Sequence, residues 1–374
     1  MKITNVKTFM CATNRQNWLF VKVETDKGLF GWGEASVEGQ EKATEECIKV
    51  LAERSVIGED PGNIDRIWQK MYRHGFWKSG FIHMSAISGI DQALWDLMGK
   101  MYNVPVYKLL GGAVRDKVLT YTHARNGDDA ARAIDNGFAG VKTGGGKAVS
   151  IHDPAGDPGA LAERLKDIRD CIGYDKVLCI DNHGQSAPID AIQKMVAALP
   201  YKIHFFEEPI PPENTSSYNQ LRNAVPTMPI AAGERLFSRF DFREVVQDKL
   251  FDTAQPDVCH CGGISEIMKI AHMVEPFHIK IAPHNPNGPV ATAASLHVCA
   301  AIQNFDILEF ATHSVYQRED VYKNLNLKPK DGYFALPEGP GLGVDLDEEA
   351  IAKYPYVNKQ YDPRFMLDGT VAEI

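Results

Sequence analysis

Six ionisable residues each close a short apolar run in the second half of the chain: Asp181, Glu207, Glu234, Asp257, His284 and Glu309, with gaps of 26, 27, 23, 27 and 25 residues. One strand–helix unit has about that length, since roughly 250 residues make the eight units of a (β/α) barrel. Regular spacing puts each residue at the same height, the C-terminal end of its strand. In a barrel those ends converge on one mouth, where active sites are built. The apolar runs number eight, at 118–122, 140–142, 177–181, 203–207, 230–234, 253–257, 279–284 and 307–309, with amphipathic helix-length spacers. This alternation predicts an α/β fold, a TIM-type (β/α) barrel over residues 116–335, rather than a sandwich. A doubly wound open sheet is the structural rival, but it would carry a glycine-rich phosphate turn after its first strand. Gly144-Gly145-Gly146 does follow a strand, yet it fits neither the dinucleotide nor the P-loop pattern.

Residues 1–115 read as a separate α+β unit. Strand patterns at 18–24 and 29–35 flank the hairpin turn Thr25-Asp26-Lys27-Gly28. From about 41 to 101 the pattern turns helical, with Ile87, Ile90, Ala93, Leu94 and Leu97 at the spacing of a buried face. Gly111-Gly112 closes the region. The segment 336–374, rich in Pro, Gly and acidic residues, is expected to return and complete this N-terminal unit.

The net charge of −9 argues against a nucleic-acid partner, which would need a basic face. It does not exclude a small anionic substrate, because a metal reverses the local field inside a pocket. No apolar run approaches the roughly 20 residues of a membrane helix, and the N-terminus lacks the apolar segment of a secretory signal. The 7 cysteines are odd in number and scattered, mostly inside apolar runs, which suits a reducing, cytoplasmic setting. Cys259-His260-Cys261 has no second Cys/His cluster at zinc spacing, so it reads as strand-end packing.

Five acids and a histidine aimed into one mouth repel one another unless a cation sits among them. Strand-end acids also cap the helices that follow, but capping accounts for one or two of them rather than a set in register. Three carboxylates on adjacent strands make a hard oxygen site of the kind Mg²⁺ prefers. A proton next to a carboxylate is too weakly acidic for imidazole to remove unaided. A divalent cation on that carboxylate stabilises the enediolate while a nearby base takes the proton. His284 is the candidate base, and Asp257 on the preceding strand is placed to orient its ring. His183, two residues past Asp181, points to the same side in an extended segment and is the candidate general acid. His297, in an apolar helical pattern, reads as a structural histidine.

At these positions the chain resembles the enolase superfamily, in its mandelate racemase-like branch, and within it the sugar-acid dehydratases of the galactonate type. The likeness runs nearly the whole length. It includes Asn17-Trp18-Leu19-Phe20, Gly31-Trp32-Gly33-Glu34, Ser88-Gly89-Ile90-Asp91-Gln92-Ala93-Leu94-Trp95-Asp96 and Leu109-Leu110-Gly111-Gly112. In the barrel it takes in Asp181-Asn182-His183-Gly184, Phe206-Glu207-Glu208-Pro209, Ala232-Gly233-Glu234-Arg235, Gln255-Pro256-Asp257 and Ala282-Pro283-His284-Asn285. The resemblance implies a modified, enolase-like barrel capped by the N-terminal domain. It implies Mg²⁺ on Asp181, Glu207 and Glu234, with His284 and Asp257 as the base pair and His183 as the acid that assists loss of a β-hydroxyl. Glu309 matches the family's final-strand glutamate, which meets the substrate carboxylate in the transition state; Glu208 is not carried over. Trp18, Lys142 and Gln185 are the expected substrate contacts, and a homo-oligomer is the expected assembly.

Two departures bear on the chemistry. Many relatives carry Lys-x-Lys after the second barrel strand, where this chain reads Lys142-Thr143-Gly144. Loss of the second lysine removes a second base and favours histidine-only dehydration. Gln185-Ser186 stands where many close relatives have an arginine, whose two-pronged grip on substrate oxygens glutamine cannot reproduce. The glycine run 144–146 and the stretch 152–159 are expected to reshape the pocket rim. The expected reaction is dehydration of an aldonate or aldarate, D-galactonate foremost, to a 2-keto-3-deoxy acid. An isomerase or cycloisomerase on the same scaffold, and a non-catalytic sugar-acid binder, are the alternatives.

Overall fold

The protein is described from a computed structural model, which covers residues 1–146, 158–359, 365 and 368–371. Most of the stretch 152–159 therefore lies outside the described residues, as does most of the chain beyond 359. Three antiparallel strands open the chain: β1 (Ile3–Ala12), β2 (Asn17–Thr25) and β3 (Phe30–Glu34), paired in that order. The β2–β3 turn closes through Gly28, whose φ of 75° suits a residue without a Cβ. Helices α1 (Glu41–Leu51), α2 (Ile64–Arg73), α3 (Phe81–Tyr102) and the short α4 (Val106–Leu109) follow. All five α3 residues expected on the buried face have no exposed surface. The helix lies so close to β3 that a Cβ on Gly33 would meet the Gly89 carbonyl oxygen at 1.9 Å.

The barrel strands are β4 (Lys117–His123), β5 (Gly140–Gly144), β6 (Val177–Asp181), β7 (Phe206–Glu207), β8 (Ile230–Ala232), β9 (Thr253–Ala254), β10 (Lys280–Ile281) and β11 (Leu308–Glu309). Neighbours pair in parallel from β10 back to β4, and β4 pairs β11. The ring closes where Ile281 N–H donates to Asn304 O and Asp306 N–H donates to Ile281 O, both at 2.8 Å. Helices α5 (Gly127–Asp135), α6 (Pro158–Ile172), α7 (Pro188–Ala198), α8 (Tyr218–Ala224), α9 (Phe242–Asp248), α10 (Gly263–Val274) and α11 (Pro289–Ala301) fill the seven spacers. After β11 comes only α12 (Thr312–Val315) before the chain turns back, so the barrel is a modified one. Small strands β12 (Tyr322–Lys323), β13 (Tyr333–Ala335) and β14 (Asp345–Leu346) and helix α13 (Glu348–Ala352) complete the described chain. This returning segment meets the N-terminal sheet: Trp32 Nε1 donates to Asp345 at 2.8 Å and Ala12 N–H to Tyr354 O at 2.9 Å.

Inside the barrel, Tyr121, Cys179, Phe205, Ala231, Ala282 and Ile307 form a buried apolar layer. Five of them lie two residues before His123, Asp181, Glu207, His284 and Glu309. Strand side chains alternate with a period of two, so the apolar layer is the floor on which those polar groups stand.

Candidate active site

The last residues of the strands are aimed by breaks in the ladder. Gly233 (φ 130°), Pro256 and Pro283 stand immediately before Glu234, Asp257 and His284. Proline has no N–H to give the ladder, and β8, β9 and β10 end at Ala232, Ala254 and Ile281, short of the apolar runs. The chain there turns into the mouth instead of climbing on.

Asp181, Glu207 and Glu234 each offer a carboxylate oxygen, and the three lie within 4.8 Å of one another. Lys142 Nζ reaches into the same nest, 3.0 Å from Asp181, 2.9 Å from Glu207 and 2.8 Å from Glu309. Burial opposes the charge on Lys142, but the three carboxylates outweigh it and hold the ammonium well above its ordinary pKa. Neutralisation is incomplete on the far side. Burial first, then the neighbouring carboxylates, push Glu207 well up and Glu234 to about 8. Glu207 Oε2 and Glu234 Oε2 are buried with no hydrogen-bond partner among the described residues. A buried acceptor without a donor is costly, and an all-oxygen donor set with free lone pairs suits a hard divalent cation. The residues fit such an ion.

His284 and Asp257 meet as expected, Nδ1 lying 2.7 Å from Asp257 Oδ2. Asp257 also accepts from Asn287 Nδ2 at 2.8 Å and from the Cys259 N–H at 2.6 Å. With Nδ1–H committed to Asp257, the lone pair of the neutral ring is on Nε2, which lies 3.4 Å from Glu234 and 4.0 Å from Glu309. Burial disfavours the imidazolium, but Glu234, Asp257 and Glu309 together raise its pKa well above the ordinary histidine value. His183 Nε2 lies 3.1 Å from Asp181 Oδ2, and that carboxylate raises its pKa. Half of the His183 side chain stays exposed to the opening. Glu309 is pinned by His123 Nε2 at 2.7 Å and the Asn285 N–H at 2.9 Å.

Other expected residues take different places. Lys142 is a buried cation at the centre of the acidic cluster, more deeply set than a rim contact. Trp18 has no exposed surface; it packs near Phe20, with ring centroids 5.9 Å apart, and behind Gly288, so it backs the site without opening onto it. Gln185 is half-buried on the loop after His183. His260, within the Cys259–Cys261 triplet, pairs with Ser85 Oγ at 2.8 Å, and both cysteines are buried. His123 escaped the sequence reading because it lies one residue past the apolar run at 118–122, although it ends its strand as Asp181, Glu207 and Glu309 end theirs.

Comparison with known proteins places this arrangement in context. Residues 1–111 match the mandelate racemase / muconate lactonizing enzyme N-terminal domain, and residues 126–350 match the enolase C-terminal domain-like family. The chain is 41% identical to the D-galactonate dehydratase of Ralstonia pickettii (strain 12J) over 365 residues, 94% of each chain. It is 41% identical to that of Cronobacter sakazakii (strain ATCC BAA-894) over the whole of both chains. An enolase from Agrobacterium radiobacter, proposed to be a galactarate dehydratase and solved with sodium and L-malate bound, superposes with a TM-score of 0.88 at 34% identity, covering 100% of both chains. A mandelate racemase/muconate lactonizing enzyme from Jannaschia sp. CCS1 superposes with a TM-score of 0.88 at 29% identity, covering 96% of this chain and 99% of that one.

Proposed function

This chain belongs to the mandelate racemase / muconate lactonizing enzyme family of the enolase superfamily and is a hydro-lyase acting on a sugar acid, and we propose that it dehydrates D-galactonate to the 2-keto-3-deoxy acid with Mg²⁺ on Asp181, Glu207 and Glu234. When bound, the cation supplies concentrated positive charge against the negative charge that builds on the substrate carboxylate as the α-proton leaves. Lys142 adds its own charge beside that carboxylate. Glu309, held by His123 and Asn285, meets the carboxylate from the last strand. His284 Nε2 takes the α-proton, and Asp257 accepts the Nδ1–H bond of the imidazolium that forms. His183 gives a proton to the β-hydroxyl, which departs as water, and the resulting enol rearranges to the 2-keto acid.

The observation that carries the reading is the placement of the two histidines. His183 follows β6 and His284 follows β10, four strands apart in a ring of eight, so they stand on opposite walls of the mouth. Proton removal from one wall and hydroxyl protonation from the other favour anti elimination. With Gly144 in β5, Lys142 is the one lysine of that strand.

A panel of aldonates and aldarates, scored with semicarbazide for 2-keto acids, tests the reading. D-Galactonate should give product that EDTA suppresses and Mg²⁺ restores. His183→Ala and His284→Ala should each lower the rate by roughly 10²–10⁴-fold, with Mg²⁺ binding retained by calorimetry. Silence across the panel would contradict dehydration, and a His183→Ala enzyme with full turnover would point to an isomerase.

A further inference from the structure

The side chain proposed to protonate the departing hydroxyl stands on a backbone its residue type does not favour. His183 has φ 48° and Glu208, one residue past Glu207, has φ 37°. Left-handed backbone at non-glycine residues persists only where the surroundings impose it. Backbone bonds contribute, among them His183 N–H to Asp181 Oδ1 at 3.0 Å and Gln185 N–H to Asn182 O at 3.0 Å, but one guanidinium joins both left-handed residues. Arg235, the residue after Glu234, sets Nε 3.1 Å from both oxygens of Glu208 and Nη2 2.5 Å from Oε2. The same Nη2 donates to the carbonyl oxygen of His183 at 3.0 Å. Gly184 (φ 65°) donates its N–H to the Glu208 carbonyl at 2.8 Å, and a Cβ on it would lie 2.6 Å from Arg235 Nη2. The glycine thus gives the guanidinium its seat. Glu208 itself is buried, so its charge has to be answered locally.

We infer that Arg235, paired with Glu208, is a positioning residue: it locks the left-handed turn at 183–184 and so aims the His183 imidazole across the mouth. What His183 does rests on the dehydratase reading; how His183 is held does not. An arginine is needed because only its planar fork serves a carboxylate with one edge and a carbonyl with the same nitrogen. The three loops that follow β6, β7 and β8 are thereby tied together just outside the acidic triad.

Arg235→Ala, Arg235→Lys and Glu208→Gln in the full-length chain test the inference with two kinds of readout. Hydrogen–deuterium exchange of a peptide spanning 181–187 should rise in all three, most in Arg235→Ala, while a peptide spanning 280–285 around His284 keeps its protection. In the Mg²⁺-loaded enzyme, kcat for D-galactonate should fall about 10²-fold in Arg235→Ala, the scale of a misplaced catalytic group, with KM within about 3-fold. Exchange of the C2 proton of the 3-deoxy analogue in D₂O, which needs His284 but no departing hydroxyl, should persist. Arg235→Lys should recover part of kcat, and Glu208→Gln decides the matter if Arg235→Ala unfolds. Unchanged exchange at 181–187 overturns the clamp, and so does a raised KM with kcat intact, which marks Arg235 as a substrate contact. A wild-type chain that dehydrates no sugar acid removes the dehydratase reading, while the exchange of 181–187 still decides how the turn is held.

Discussion

Buried ionisable residues in this protein include some answered by other charges and some kept neutral. Lys142 is of the first kind, with three carboxylates within 3.0 Å. His297 is of the second. Its Nδ1 accepts the Tyr107 N–H at 3.2 Å, no charge faces it, and burial lowers its pKa to about 4. An unfolded histidine titrates near 6.5. Between those values the unfolded chain binds a proton at this residue that the native chain refuses, so the contribution of His297 to stability falls as pH drops from about 6.5 to about 4 and is level above. The loss across that window is of order 3 kcal/mol. The difference in urea midpoint between the wild type and His297→Gln, measured from pH 8 down to 4.5, should show this slope. The sequence marked His297 as structural from its apolar neighbours alone. It could not show Lys142 at the centre of the cluster, because which way a strand residue leans among five acids depends on the closed ring.

The strands were legible as apolar runs, and the helices between them as amphipathic spacers. Where each ladder stops was not, since the runs at 230–234, 253–257 and 279–284 continue past the last paired residue. Gly233, Pro256 and Pro283 carry that information: each ends pairing one residue before a site group. Gly144 also takes on a clearer meaning. A Cβ there would meet nothing within 4 Å among the described residues, so the backbone does not demand the glycine. Gly33 is the opposite case. Its Cβ would strike the Gly89 carbonyl, so Gly33→Ala must push β3 off α3, at a cost of roughly 1–3 kcal/mol or more. A lowered thermal midpoint in Gly33→Ala, beside an unmoved one in Gly144→Ala, is the expected result.

Across the whole molecule, the N-terminal domain holds the barrel by putting buried carboxylates on helix starts. Glu34 accepts from the Gly288 and Ala291 N–H groups at 2.7 and 3.0 Å, at the start of α11, just past the loop that carries His284. Asp91 of α3 accepts from Ser265 N–H at 2.9 Å, at the start of α10. Asp96 joins Trp32 N–H at 2.8 Å to Leu342 N–H at 2.7 Å, tying the returning segment to the same domain. Helix N-termini leave unpaired donors that favour negative charge. The motifs around Glu34, Asp91 and Asp96 stood out in the sequence only by resemblance, because the barrel partners of Glu34 and Asp91 lie 174 to 257 residues away. Glu34→Ala should therefore cost about 1–3 kcal/mol and loosen the 284–291 loop, read as faster amide exchange there than in the β4–β6 wall.

Removal of water from a sugar acid by the histidine pair is the central step of the proposed chemistry. The most direct measurement is a proton NMR time course of D-galactonate with Mg²⁺ and the enzyme in D₂O. The predicted result is loss of the C2 proton signal together with the rise of a 2-keto-3-deoxy acid carrying deuterium at C3. Exchange or epimerisation at C2 with every hydroxyl retained would contradict it.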